Sequence, residues 1–132
     1  MPGPGAAGGF AAPFLAGGSA RVVSGAQLVL DLTGTVQAIH DADVVITGEG
    51  RWDDQTSAGK APHAVVKAAG RAGKPVIAVA GSFTTDADLS EISSCYSLAD
   101  VSGPDRDPIR DSRILLREIG ARIAANFGSD RA

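Results

Sequence analysis

Apolar positions in this chain recur in two rhythms. Val44-Val45-Ile46 and Val76-Ile77-Ala78-Val79-Ala80 are unbroken runs, the pattern of strands buried on both faces in a parallel sheet. Elsewhere the spacing is three to four residues, as in Leu28, Val29 and Leu32, in Val65, Val66 and Ala69, and in Ile109, Leu116, Ile119, Ile123 and Phe127. That spacing predicts amphipathic helices. Ser24 is a suitable N-cap for a helix through Leu32. Gly34 ends it, and Thr35 caps one further turn to Ile39. A strand is expected over Asp43–Thr47, then a helix over Pro62–Ala72, with proline at its first turn and Gly73 as its stop. Lys74-Pro75 launches a second strand over Val76–Ala80, which Gly81-Ser82 ends. A short helix over Asp86–Ile92, a weak strand over Cys95–Leu98, a turn at Pro104–Pro108 and a long helix over Pro108–Phe127 complete the series. At the other end, Ala6–Leu15 could be helical, although Gly8, Gly9 and Pro13 weaken it. A flexible terminus is the equal alternative there.

The order α-β-α-β-(α)-β-α implies right-handed crossovers and an α/β fold, a Rossmann-like three-layer αβα arrangement around a small parallel sheet. Three strands leave two edges unpaired. The chain therefore reads as an incomplete part of a larger fold, or as one protomer of a homo-oligomer that covers those edges.

Composition narrows the function classes. The 132 residues carry 12 basic and 15 acidic groups for a net charge of −3, well mixed along the chain. No basic footprint suggests nucleic acid, and no polybasic patch or long apolar run suggests a membrane. A lone cysteine, Cys95, forbids an internal disulfide, and with no secretory pattern at Met1-Pro2-Gly3 the expected location is cytoplasmic.

Chemistry concentrates in residues 43–60, where the first apolar run stops at Gly48 and Glu49, Gly50, Arg51, Trp52, Asp53, Asp54, Gln55, Thr56 and Lys60 follow. Strand, glycine turn, charged loop, helix is how α/β enzymes place reactive groups at a strand's carboxyl end. Several familiar sites fail on spacing. A P-loop would need glycine at Asp54 and Ser or Thr at Ala61, Gly48-Glu49-Gly50 lacks the third glycine of a dinucleotide fingerprint, and His40 and His63 are isolated from other zinc ligands. His63 is expected to be exposed on its helix. Cys95 reads as a small core residue, not a nucleophile.

Gly48-Glu49-Gly50-Arg51-Trp52-Asp53-Asp54-Gln55-Thr56 with Gly59-Lys60-Ala61-Pro62 closely resembles the signature of type I bacterial glycerate kinases. Lys74 to Ser82, Ser24-Gly25, Leu28 to Leu30 and the opening Gly3-Pro4-Gly5-Ala6-Ala7-Gly8-Gly9 extend the resemblance, with Pro4 departing from it. It covers residues 1–132 as a single domain similar to the carboxyl-terminal part of the family's larger two-domain fold; the family's amino-terminal part has no counterpart here. The resemblance implies ATP-dependent phosphorylation of D-glycerate with Mg2+. A non-catalytic ligand-binding or interaction remnant of that fold is the alternative, since one wall of the family's interdomain cleft would come from elsewhere.

Under that resemblance the expected roles are these. Arg51 binds a phosphate or the glycerate carboxylate through paired donors, its plain alternative being an ion pair with Asp53 or Asp54. Glu49 and Asp53 ligate magnesium through water or take the substrate hydroxyl's proton; Glu49 could instead cap free N–H groups. Asp54 is expected to be solvated. Lys60 neutralises phosphate charge near the next helix's amino end, or is simply solvated. Gln55 and Thr56 bind ligand or close the turn. Gly48 and Gly50 allow close backbone approach or positive φ, and Gly81 and Ser82 line the same cleft. Trp52 stacks on substrate or packs.

Overall fold

The computed structural model describes residues 6–18, 20–53 and 60–129. A turn of 3-10 helix (Ala6–Gly9) and α1 (Ala12–Ala16) open the chain. Then follow α2 (Gly25–Leu32), α3 (Thr35–Asp41), β1 (Val45–Trp52), α4 (Ala61–Arg71), β2 (Val76–Phe83), β3 (Ser94–Ser97), α5 (Leu98–Ser102) and α6 (Ser112–Ser129). The three strands form one sheet in the order β1-β2-β3, both pairings parallel. The α/β class with a small parallel sheet is thus the fold observed.

The helix ends follow local chemistry. The Ser24 hydroxyl accepts the Gln27 N–H at 3.3 Å, capping α2. Gly73, at φ 65°, closes α4: its N–H donates to the Gly70 carbonyl at 3.1 Å, and the Lys74 N–H donates to the Ala69 carbonyl at 2.9 Å. This pair of bonds across a left-handed glycine is the Schellman ending. Gly34, not Thr35, is the N-cap of α3.

β2 is central, and its side chains feed two cores. Val76, Ala78 and Ala80 join Leu30, Ile39, Val45, Trp52, Val66, Ala68 and Ala69 beneath α2, α3 and α4. Ile77 joins Leu98, Leu115, Ile119 and Ile123 beneath α5 and α6, with Val79 packed against that cluster. Period-two alternation in the strand sorts neighbours to opposite faces, so helices cover both sides of β2, as a three-layer arrangement requires.

Several expectations are corrected. Both major strands run past their glycines: β1 continues through Gly48 and Gly50 to Trp52, and β2 through Gly81 and Ser82 to Phe83. Residues 84–93 hold turns instead of a helix, tied by the Asp88 carboxylate accepting the Ser90 N–H at 3.0 Å. α5 was not anticipated, and α6 begins at Ser112, leaving Ile109 outside it and 87% exposed. The buried stripe of α6 is Leu115, Ile119 and Ile123, while Leu116 stays half-exposed. Cys95 is exposed on β3, not in the core, and partial burial raises its thiol pKa. No described helix is long and apolar enough to cross a membrane.

Candidate functional site

The glycines of the motif do different work from turn glycines. Gly48, Gly50 and Gly81 all have ordinary strand backbones, with no positive φ. A Cβ on Gly48 would lie 2.5 Å from the Val79 carbonyl oxygen, and one on Gly81 would strike the Gly50 carbonyl oxygen. Side chains at these two positions would therefore push β1 and β2 apart. Gly50 is unlike them, because a Cβ there would meet nothing within 4 Å.

The strands change their pleat at this point. Paired positions run from Val45 opposite Val76 to Glu49 opposite Ala80, and resume with Arg51 opposite Ser82 and Trp52 opposite Phe83. On β2, Ala80 and Phe83 are an odd number of residues apart, yet both pack on the α4 side. Val45 and Trp52 on β1 show the same odd spacing. Both strands thus shift face where Gly50 lies beside Gly81. Trp52, 3% exposed, then stacks on Phe83 with ring centroids 5.9 Å apart. Trp52 is a packing residue here, buried away from solvent. The backbone N–H and hydroxyl of Thr84 both donate to the Trp52 carbonyl, at 2.9 and 3.2 Å, fixing where the chain leaves the sheet for Asp53.

Beyond that anchor the charged residues converge. The Lys60 ammonium, at the N-cap of α4, lies 3.6 Å from Glu49 Oε1 and 3.8 Å from Asp53 Oδ1. The lysine comes from the helix start and the carboxylates from the strand and its end, so the group bridges β1 and α4. Its side chain is 41% exposed and the two carboxylates about a quarter exposed, at 27% and 25%. An ion pair so open to water adds little to stability. Lys60 is therefore held between two acids instead of being merely solvated, and Glu49 faces a cation.

Arg51 is exposed on the same strand end, opposite Ser82. Its charge reaches Asp86, whose carboxyl is held below the usual range by the Thr84 hydroxyl first, then by its own backbone N–H, and to a smaller degree by Arg51. Arg51 is thus near enough to the turn after β2 to act on Asp86. Gly81 and Ser82 lie level with Gly50 and Arg51, on the same rim, because the pairing is parallel. Asp54, Gln55 and Thr56 lie outside the described residues. His63 is half-buried, sharing a small hollow with Trp52, Val66 and Asp88, so the exposed position expected for it is not observed.

Sequence reasoning missed the open cleft on the other face of β1. Gly48, Glu49, Gly50, Val79, Gly81 and Leu98 meet Pro108, Ile109, Ser112 and Leu116 around about 520 Å3. The one signal that could have revealed it is Gly50, a strand glycine that no turn requires.

Comparison with known proteins gives a consistent picture. A family model described as the glycerate kinase family matches residues 1–128. A glycerate kinase of Halalkalibacterium halodurans is 52% identical over 82 residues, 62% of this chain and 22% of that protein. One from Neisseria meningitidis is 36% identical over 126 residues, 93% of this chain and 34% of the other. A glycerate 2-kinase of Escherichia coli is 45% identical over 86 residues, 65% of this chain and 23% of the other. A crystal structure described as a glycerate kinase 2 of Salmonella typhimurium LT2 superposes with a TM-score of 0.69 at 32% identity, covering 98% of this chain and 32% of that one. The chain spans about a quarter to a third of the length of these relatives. With nearly every residue matched by the family model and a shared fold at 32% identity, the chain belongs to the glycerate kinase family.

Proposed function

We propose that the strand-end cluster is the phosphoryl-transfer part of a kinase that moves the γ-phosphoryl of ATP to a hydroxyl of D-glycerate. The observation that carries this reading is Lys60 held between Glu49 and Asp53 where β1 ends. Phosphoryl transfer needs positive charge beside the moving group, oxygen donors for a metal, and an acceptor for the hydroxyl proton. The cluster offers all three within one side chain's reach.

In this reading Lys60 offsets charge on the phosphate oxygens as the bridge to ADP breaks. Asp53 accepts the proton as the glycerate oxygen bonds to phosphorus. Arg51 binds the glycerate carboxylate with two parallel N–H donors. Gly81 and Ser82 line the same rim, and Gln55 and Thr56 are assigned to ligand contacts. Among the described residues no three His, Cys, Asp or Glu converge on one point. Mg2+ commonly needs only one or two protein carboxylates, its other positions going to water and phosphate oxygens. Glu49 and Asp53 fit that donor set. Bound there, Mg2+ would neutralise phosphate charge.

The small span of the relatives that this chain covers favours a second reading, in which it holds ligand as one wall of a cleft without turning over alone. One assay separates the two. ADP release that depends on D-glycerate supports catalysis by this chain. Saturable binding of ATP or D-glycerate without ADP release supports the second reading, and no binding of either defeats both.

A further inference from the structure

We infer that the cleft floored by Gly48, Gly50 and Gly81 is the seat of the purine base of the phosphoryl donor. The inference rests on the kinase reading and adds a place for the part of the nucleotide that does not react.

The starting point is Gly50. A glycine inside a strand costs about 0.5–1 kcal/mol relative to alanine. Gly48 and Gly81 have a reason within the fold, since their Cβ atoms would collide with the neighbouring strand. Gly50 has no such collision: its φ is not positive, and a Cβ there would have open space. It borders the cleft. Besides allowing the change of face, a strand glycine with room beside it lets a ligand come close to the backbone.

The cleft suits a flat, mostly apolar ring. It encloses about 520 Å3, within the ordinary range of small-molecule sites. Its walls are Val79, Leu98, Ile109 and Leu116, with Ser112 and Glu49 as polar residues along its lining. It lies towards the carboxyl ends of parallel strands, where ligands of open α/β sheets bind. Glu49 ties it to the reacting centre, because the residue that borders the cleft also stands 3.6 Å from the Lys60 ammonium. Glu49 is thus the residue between a base on the glycine floor and Lys60 across the strand.

The test is an amide-resolved magnetic resonance titration of the isotope-labelled 132-residue chain with adenosine, MgATP, tripolyphosphate and D-glycerate. Adenosine and MgATP should shift the amides of Gly48, Gly50, Gly81, Ser112 and Leu116 saturably. Gly50→Val fills the floor, and Leu116→Glu charges a half-exposed wall without touching the sheet. Each should weaken adenosine and MgATP at least about tenfold while leaving tripolyphosphate affinity unchanged. If both variants keep wild-type MgATP affinity, the base sits elsewhere and the inference fails. If D-glycerate shifts Asp53 and Lys60 while adenosine shifts none of the cleft amides, the inference fails and the kinase reading survives. If the cleft amides move with protein concentration alone, a second copy covers the cleft and the inference is overturned. Failure of nucleotide and D-glycerate alike removes both readings.

Discussion

Gly81 lies so close to Gly50 that a methyl group on the first would strike the carbonyl oxygen of the second. The neighbour is backbone, which cannot swing aside as a side chain would. Gly81→Ala should therefore destabilise the chain by about 1–3 kcal/mol, the usual range for overpacking. Gly50→Ala, one strand away, should be neutral or stabilise by up to about 1 kcal/mol, since nothing opposes the added carbon. Urea unfolding of the two variants checks the contrast. Equal losses would mean that the glycine pair does not set the spacing of β1 and β2.

Lys60→Met should abolish D-glycerate-dependent ADP release while changing stability by less than about 1 kcal/mol, because the ion pairs are open to water. Asp53→Asn should do the same. A coupled ADP assay beside a thermal melt reads both. Retained turnover with a large fall in melting temperature would make the cluster a structural clasp and nothing more.

Acid should weaken the α5–α6 connection. Arg106 donates to Glu118 at 2.5 Å and to the Val101 and Ser102 carbonyls at 2.8 and 3.0 Å. The hydrogen bond from Arg106 holds the Glu118 carboxyl below its usual range, and the Arg110 and Ile109 N–H groups do so for Asp107. A folded-state pKa below the unfolded one adds stability above the ordinary carboxylate range of about 4, and that stability fades as pH falls through the folded value. Glu118→Gln should lower stability at neutral pH and flatten its acid dependence. A variant with the wild-type acid slope would contradict the assignment.

Large apolar side chains outside the cleft remain open, including Leu28, Val29 and Leu32 on α2 and Ile46 on the free edge strand β1. Contiguous apolar surface of this kind drives association. The chain alone should self-associate at micromolar concentration or melt at modest temperature, as sedimentation and calorimetry would report. A monomer of high thermal stability would show that these faces need no cover.

Much of this was legible from local signals. The Ser24 cap, the Gly73 stop and the apolar run of β2 depend on a few adjacent residues, and each element lies where they place it. The strand ends were not legible, because a glycine reads locally as a breaker. Gly48 and Gly81 sit inside strands for a reason found only across the sheet, in a carbonyl belonging to another strand. Turns at 84–93 displaced the expected helix because Asp88 satisfies the Ser90 N–H itself. The crowding of charged residues about the end of β1 was plain in the sequence. That Lys60 would join Glu49 and Asp53 depends on how α4 returns against the sheet.

β2 belongs to both cores at once, sending Val76, Ala78 and Ala80 to one and Ile77 to the other. Neither helical layer can therefore melt without loosening the strand on which the opposite layer rests. Amide protons of β2 should be the last to exchange with solvent, and damage to the layer bearing α6 should be felt at Lys60, on the far side of the sheet.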